Sequence, residues 1–116
     1  VIEGEVLDVA VDIRTGSPTY GQHVAIRLSG DNKKQLFIPR GFAHGFVVLS
    51  EAATFAYKVD NYYSPEADRG LAFDDAQLGI DWLLPRDELQ LSAKDQQQPY
   101  FLQLAKSFDY LVNYYA

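Results

Sequence analysis

The sequence predicts one antiparallel, all-β domain, built as a sandwich or a barrel and followed by a single helix. Three observations predict this class: short stretches that alternate between apolar and polar residues, turn-forming residues between them, and an aromatic content of 14%. A length of 116 residues suits one domain with one core, and 47% hydrophobic residues can fill that core. No repeat or linker divides the chain, so residues 1–116 are treated as one domain.

The clearest predicted strand runs from Val6 to Arg14, where the residues alternate strictly. One of its faces is wholly aliphatic and consists of Leu7, Val9, Val11 and Ile13. The other face consists of Val6, Asp8, Ala10, Asp12 and Arg14, and its three charged residues are typical of the solvated face of an edge strand. The stretch TGSPT then predicts a turn.

A second alternating stretch covers Tyr20–Leu28 and predicts another strand. Its aliphatic face consists of Val24, Ile26 and Leu28. His23 lies on the opposite face, so we expect it to be exposed to solvent. After the polar turn SGDNKK, residues 35–38 predict a short strand, which Pro39 and Gly41 end.

Three further stretches complete the predicted sheet, at residues 45–49, 54–59 and 71–73. Residues 60–70 are too polar and too interrupted for a strand and are interpreted as a loop. Residues 99–116 predict a C-terminal helix that starts after a proline. Its apolar residues recur at helical spacing and are Phe101, Leu104, Ala105, Phe108, Leu111, Val112 and Tyr115.

Composition excludes several classes of function. The net charge of −6, with no cluster of Lys or Arg, argues against nucleic acid or an anionic membrane as a partner. The absence of Cys excludes disulfides, thiolate catalysis and Cys-ligated metals. No apolar run reaches the ~20 residues of a membrane span and no signal peptide is visible, so we expect a cytoplasmic protein.

The start of the chain is unusual, because it contains no Met and opens inside an apolar stretch, VIEGEVLDVAVDI. We therefore expect that the natural protein has an N-terminal portion before Val1. The alternative is that an initiator Met has been removed.

His44 is the first candidate for chemistry, since it lies between Gly41 and Gly45 in the stretch IPRGFAHGF. The residues leave two interpretations open. His44 is either a buried residue with both ring nitrogens bonded, or an imidazole that donates to a carbonyl oxygen and stabilises an oxyanion. His23 is the only other histidine, so we expect neither a metal nor another cofactor.

Other polar residues also allow two interpretations. Tyr57 shares a face with Phe55 and is either a core tyrosine with a bonded hydroxyl, or a proton donor or anion-stabilising hydroxyl. Asp8 is either on a solvated face or beside a histidine whose tautomer it fixes. Lys94 and Asp95 are adjacent, and a solvated pair is the default interpretation.

Several motifs in register resemble one family. They are GEVLDVAVDIRTGSPTYG, IPRGFAHGF, FAYKVDNYYSPEADRG, DDAQLGIDW and LSAKDQQQP, and they span residues 4–99. Together they resemble the dTDP-4-dehydrorhamnose 3,5-epimerases, which implies a cupin-type jelly-roll β-sandwich and a metal-free homodimer. The implied reaction epimerises dTDP-4-dehydro-6-deoxyglucose at C3 and C5 through an enolate, for dTDP-rhamnose and surface polysaccharide synthesis.

The resemblance also implies roles for single residues. Tyr57 matches the tyrosine that returns a proton from the far face of the sugar, and His44 matches a histidine that contacts the sugar and helps with the oxyanion. Asp8 matches the partner of that histidine. The implied binding and orienting residues are Asp68 and Lys94, which line the substrate site, Tyr63, which lies near the nucleotide, and Asp95, which orients the basic histidine.

One part of the family pattern has no counterpart. The basic histidine of the family lies in an upstream segment like Arg-Gly-Leu-His-Tyr-Gln, which these residues do not include. We therefore expect the first jelly-roll strands to be missing and the chain as it stands to be inactive. The alternatives are an inactive cupin domain that binds a sugar nucleotide, and a sister dTDP-sugar 5-epimerase or 3,4-ketoisomerase.

Overall fold

The computed structural model describes all residues from 1 to 116. It contains five strands, which are β1 (Glu5–Asp12), β2 (Arg14–Thr15), β3 (His23–Ser29), β4 (Phe42–Val48) and β5 (Phe108–Asp109). Four short 3₁₀ turns lie at Pro65–Ala67, Arg86–Glu88, Asp95–Gln97 and Phe101–Gln103. No helix is long and apolar enough to cross a membrane.

The main sheet has three antiparallel strands in the order β3-β1-β4. The predicted strand at Val6–Arg14 is confirmed as β1, but its predicted position at an edge is wrong. It is the central strand, and seven of its eight residues are buried because neighbours cover it on both sides. The short strands β2 and β5 pair in parallel, which departs from a purely antiparallel plan.

One face of the main sheet holds the hydrophobic core. Leu7, Val9 and Val11 project from this face of β1 and pack with Leu78 from the second half of the chain. Further partly buried residues complete the core, and they are Ile13, Ala43, Val47, Leu49, Leu71, Ile80, Trp82 and Phe101. The aliphatic face predicted from the alternation is therefore the core face.

Side-chain hydrogen bonds join the loops of the second half of the chain to one another. The indole Nε1–H of Trp82 donates to the carbonyl of Phe73 at 2.9 Å. The buried carboxylate of Asp75 accepts from the backbone N–H of Phe101 at 2.6 Å and from that of Gln77 at 2.9 Å. These bonds satisfy backbone groups that no strand partner satisfies.

The opposite face of β1 is called the site face and carries Val6, Asp8, Ala10 and Asp12, all buried. The flanking strands leave apolar side chains exposed beside it, and Val24 on β3 is 56% exposed. Val24 was predicted to face inward and His23 outward, whereas His23 is half-buried. Strand β3 lies at the edge of the sheet, and Val24 on its site face is not covered by other residues. The alternation of apolar and polar residues along β3 therefore does not predict which of its side chains are exposed.

Three of the predicted strands are wrong. Residues 35–38 and 71–73 form no strand, and in 54–59 only Thr54 pairs, in an isolated bridge with Glu3. The side chain of Phe55 stacks on Phe46, so this segment crosses the side chains of β4 instead of joining its backbone. A strand needs a hydrogen-bonding edge, and alternation alone does not provide one.

The predicted C-terminal helix over 99–116 is also wrong. This part of the chain forms the 3₁₀ turn at Phe101–Gln103, strand β5 and further turns. Its backbone groups find partners elsewhere: Phe101 donates to Asp75, and Tyr110 donates to the carbonyl of Thr15 at 3.0 Å. Aromatic and β-branched residues are weak helix formers, so these distant contacts outweigh the helical spacing.

Candidate active site

The site is built around a hydrogen-bonded pair on the site face. His44 Nε2 lies 2.5 Å from Asp8 Oδ1, across 36 residues of sequence. In the sheet register Ala10 lies opposite His44 and Phe46 lies opposite Asp8, so the two side chains are diagonal neighbours on one face. The pairing of β1 with β4 therefore brings the two groups together.

The pair is buried at one end and accessible at the other. The Asp8 side chain is only 3% exposed, whereas the His44 ring is 36% exposed and its Nδ1 makes no hydrogen bond. The interpretation of His44 as a buried residue with both nitrogens bonded is therefore wrong. So is the interpretation of Asp8 as part of a solvated face.

This arrangement determines what His44 can do. The Asp8 carboxylate accepts a hydrogen bond from the Nε2–H of His44, which leaves Nδ1 for a ligand. To donate from Nδ1 the ring must carry protons on both nitrogens, and the negative charge of Asp8 compensates the positive charge of that form. Asp8 also fixes the orientation of the ring.

Aromatic rings line the site face next to His44. The rings of Phe46 and Phe55 stack at 4.7 Å between centroids, and each lies within 6.5 Å of the His44 ring. Tyr57 follows, with its ring 5.9 Å from that of Phe55. We call these four residues the aromatic row. Sequence reasoning missed Phe46 and Phe55 as site residues, although both lie two residues from a candidate.

Tyr57 stands at the accessible end of the aromatic row. The residue is 75% exposed, and its hydroxyl makes no hydrogen bond. Its interpretation as an ordinary core tyrosine with a bonded hydroxyl is therefore wrong. The hydroxyl is therefore accessible to solvent, and its role as a proton donor stays a prediction.

A second cluster joins three of the predicted binding residues. Lys94 Nζ donates to Asp68 Oδ2 at 2.9 Å, and the hydroxyl of Tyr63 donates to the same oxygen at 3.3 Å. The hydrogen bond from Lys94 lowers the pKa of Asp68 from its ordinary value, and the same bond raises the pKa of Lys94. Asp68 and Lys94 are therefore both charged at neutral pH, and they line an open cleft together with Arg69.

Asp95 is the predicted site residue that the structure does not bring to the others. Its side chain forms no hydrogen bond or ion pair, and its backbone N–H donates to Ser92 Oγ at 3.1 Å. No hydrogen bond or ring contact joins Asp95 to His44 or Tyr57. Its role stays a prediction. No group of three or more His, Asp or Glu residues lies close enough to hold a metal ion.

A second buried carboxylate on β1 supports the framework. Asp12 is 1% exposed and accepts hydrogen bonds from the Nε and Nη2 of Arg14 at 2.9 and 2.8 Å. The hydroxyls of Ser17 and Thr19 donate to it at 2.6 and 2.5 Å. Burial alone would raise the pKa of Asp12, but these hydrogen bonds together hold it well below its usual range.

Arg14 links this carboxylate to two other parts of the chain. Its hydrogen bonds to Asp12 raise its own pKa, so it is always charged. Its guanidinium lies 4.8 Å from the ring centre of Phe42, the first residue of β4, and 5.0 Å from that of Tyr110. The network therefore fixes the start of the strand that carries His44.

The chain was compared with known proteins. A family model described as dTDP-4-dehydrorhamnose 3,5-epimerase matches residues 1–103. A dTDP-4-dehydrorhamnose 3,5-epimerase from Salmonella typhimurium strain LT2 is 57% identical over 97 residues, which are 83% of this chain and 52% of the relative. A dTDP-4-dehydrorhamnose 3-epimerase from Streptomyces niveus is 38% identical, over 82% of this chain and 45% of its own length.

A solved structure is similar in fold as well as in sequence. The dTDP-6-deoxy-D-glucose-3,5-epimerase from Legionella pneumophila, in complex with dTDP-4-keto-L-rhamnose, superposes with a TM-score of 0.92 at 50% identity. The match covers 97% of this chain and 60% of that protein. The chain spans about half the length of the sequence relatives it matches. By its sequence and its fold, the chain belongs to the dTDP-4-dehydrorhamnose 3,5-epimerase family.

Proposed function

We propose that this chain is part of an enzyme that epimerises dTDP-4-dehydro-6-deoxyglucose at C3 and C5. The observation that carries the proposal is the Asp8–His44 pair, buried on one side and open on the other, in the same aromatic row as an exposed phenol. A dTDP-sugar as the substrate is further supported by the sugar nucleotide bound in the Legionella relative.

The reaction follows from the chemistry of the ketone. A carbonyl at C4 acidifies the hydrogens at C3 and C5, so a base can remove one and leave an enolate. The enolate oxygen needs a positioned donor, worth about 3–4 kcal/mol in comparable sites. His44 supplies this donor from Nδ1, while Asp8 holds the ring and compensates its charge.

Tyr57 completes the inversion at each carbon. The base removes a proton from one side of the sugar, and Tyr57 delivers a proton from the opposite side. The phenolate that results regains its proton from water, to which the 75% exposed residue is open. A base matching the family's histidine is absent from these 116 residues, so we expect the isolated chain to be inactive.

Lys94, Asp68 and Tyr63 are the proposed contacts for the nucleotide end of the substrate. Lys94 is an exposed cation that can meet a phosphate, and its hydrogen bond to Asp68 keeps it charged in the absence of a ligand. Tyr63 presents a 76% exposed ring on which a base can stack. Asp95, beside Lys94, is the proposed carboxylate that orients the basic histidine.

The wider assignments also follow from family membership. We propose that the main sheet is part of a cupin-type jelly roll, that the enzyme is a homodimer in the cytoplasm, and that it works without a metal or other cofactor. Its product would enter dTDP-rhamnose and surface polysaccharide synthesis. The choice of a double epimerase over a single one is supported by 57% identity to a 3,5-epimerase against 38% to a 3-epimerase.

Solvent exchange tests the proposal. The gene product that contains these residues is incubated with dTDP-4-dehydro-6-deoxyglucose in deuterated water, and deuterium at C3 and C5 is followed by NMR. We expect exchange at both carbons, and we expect Tyr57→Phe to slow it about 10²–10⁴-fold while the fold is kept. Tyr62→Phe is the matched control, because Tyr62 is 96% exposed and outside the aromatic row.

Other outcomes select the alternatives. Exchange at one carbon only would identify a single epimerase or a ketoisomerase, which product analysis then separates. Binding of dTDP without exchange at either carbon would favour an inactive domain that binds a sugar nucleotide. Rapid exchange by the isolated 116-residue chain would show that it contains its own base.

A further inference from the structure

The segment that carries Tyr57 has almost no backbone support. Thr54 pairs with residues 2 and 3 through its carbonyl and its N–H, both at 2.9 Å. From residue 55 to residue 63 no backbone group bonds to another backbone group. We call residues 55–60 the tyrosine arm. Stacking of Phe55 on Phe46 holds the start of the arm, so its far end needs another contact.

One polar contact joins the arm to a distant part of the chain. The Asp60 carboxylate accepts a hydrogen bond from Arg40 Nε at 3.0 Å, and Asp60 lies three residues after Tyr57. No other hydrogen bond from residues 55–60 reaches another segment. The Arg40–Asp60 pair therefore anchors the far end of the arm to the segment before β4.

Arg40 is itself held by the C-terminal tail. Its Nη1 donates to the carbonyl of Tyr114 at 2.5 Å, and its backbone N–H donates to the hydroxyl of Tyr115 at 2.7 Å. The guanidinium also lies 5.0 Å from the ring centre of Tyr115. Two contacts thus hold the Arg40 side chain against the tail, and a third holds its backbone.

The backbone around Arg40 is rigid as well. Pro39 restricts the chain before it, and Gly41 follows with φ +93° and accepts a hydrogen bond from Ile13 N–H at 3.1 Å. Strand β4 then begins at Phe42. Arg40 is therefore tied to the strand that carries His44 and to the arm that carries Tyr57.

We propose that Arg40 is a positioning residue, which the tail residues Tyr114 and Tyr115 hold and which sets the place of Tyr57 relative to His44 through Asp60. This inference rests on the proposed function for its catalytic meaning, but the anchoring itself is independent of it. It also gives the aromatic C-terminal tail a role. An exposed ion pair adds little to global stability, so we expect loss of the Arg40–Asp60 pair to change the order of the arm and not the stability of the fold.

Order of the arm is the direct test, on the 116-residue chain labelled with ¹⁵N. Backbone order parameters of residues 56–59 are measured in the wild type, Arg40→Gln, Asp60→Asn and Tyr115→Phe. In the wild type we expect values of about 0.85, and in Arg40→Gln and Asp60→Asn values below about 0.6. Tyr115→Phe keeps the ring and loses only the acceptor hydroxyl, so its values should lie between these.

Arg27→Gln is the matched control, because Arg27 Nη1 forms an exposed ion pair with Glu5 at the same kind of distance, 2.9 Å, on the main sheet. It should leave the arm unchanged, and the urea midpoint should stay the same in every variant. An arm that is equally ordered in Arg40→Gln and in the wild type would overturn the proposal. So would an arm that is already mobile in the wild type.

Turnover separates this inference from the proposed function. In the gene product that contains these residues, Arg40→Gln should lower kcat for deuterium exchange about tenfold or more without a matching change in KM, and Arg40→Lys should recover part of it. No exchange in the wild type, with an arm that still responds to Arg40→Gln, refutes the proposed function and leaves the anchoring intact. Normal kcat in an Arg40→Gln variant refutes the positioning role alone.

Discussion

Replacing Asp12 with alanine should destabilise the chain strongly, because it removes the acceptor of a buried network. Asp12 is 1% exposed and receives donors from Arg14, Ser17 and Thr19. Removing one partner of a buried ion pair costs about 3–5 kcal/mol. Since the Arg14 side chain is 25% exposed and water can solvate part of it, we expect the lower end, about 3 kcal/mol of unfolding free energy.

Urea unfolding measures this loss, with Trp82 as the probe. It is the only tryptophan, it packs on the core, and its Nε1–H donates to the carbonyl of Phe73. The m-value should not change, so the whole effect appears in the midpoint. Asp31→Ala is the matched control, because Asp31 is exposed and its side chain forms no hydrogen bond, and it should stay within about 0.5 kcal/mol of the wild type.

The same residue predicts a pH dependence with a defined sign. Because the folded-state pKa of Asp12 is lowered, its carboxylate stabilises the fold at every pH above its unfolded pKa of about 4. This contribution is lost as the pH falls from about 4 through the lowered folded value. The difference in unfolding free energy between wild type and Asp12→Ala should therefore shrink below pH 4. A loss under about 1 kcal/mol at pH 7, or a difference that does not shrink in acid, would refute this reasoning.

Three further predictions concern single side chains. Gly41→Ala should lower the unfolding free energy in urea by about 1–3 kcal/mol, because a Cβ at φ +93° would lie 2.6 Å from Arg14 Cγ. Gly16→Ala, at φ +86° with no atom within 4 Å of its Cβ, should lower it less, and an equal loss in both variants would contradict the clash. Lys94→Met should raise the Kd for dTDP, measured by calorimetry, about tenfold. The urea midpoint should not change, because the ion pair of Lys94 with Asp68 is exposed, and an unchanged Kd would show that Lys94 does not bind the nucleotide. Asp8→Asn should lower kcat for deuterium exchange about tenfold or more, since the site histidine loses its compensating charge, and an unchanged kcat would show that this charge is not needed.

Strand β1 and the Asp8–His44 pair show how much of the site could be predicted from the sequence. Alternation located β1 and separated its two faces, because side-chain direction in a strand depends only on residue number. It could not show that the face with Asp8 is buried, since its partner His44 is 36 residues away and arrives only when β4 pairs with β1. The family resemblance named both residues, and the sheet register supplies the contact between them.

The C-terminal residues show where sequence periodicity is insufficient. Their apolar spacing fits a helix, but the contacts that decide their structure are non-local: Phe101 bonds to Asp75, and Tyr114 and Tyr115 bond to Arg40. No window of neighbouring residues contains that information. The strand predicted at 54–59 fails for a related reason, because only Thr54 finds partner backbone, at residues 2 and 3.

Asp8 and Asp12 lie four residues apart on one strand, which separates them by about 13 Å, and their hydrogen-bond partners are different: Asp8 bonds to His44, and Asp12 bonds to Arg14, Ser17 and Thr19. The two charges therefore act almost independently: one serves the imidazole, and the other keeps the chain folded. Loss of the first charge would leave the second in place. A descendant without Asp8 would then persist as an intact scaffold, because the hydrogen bonds of Asp12 do not involve Asp8.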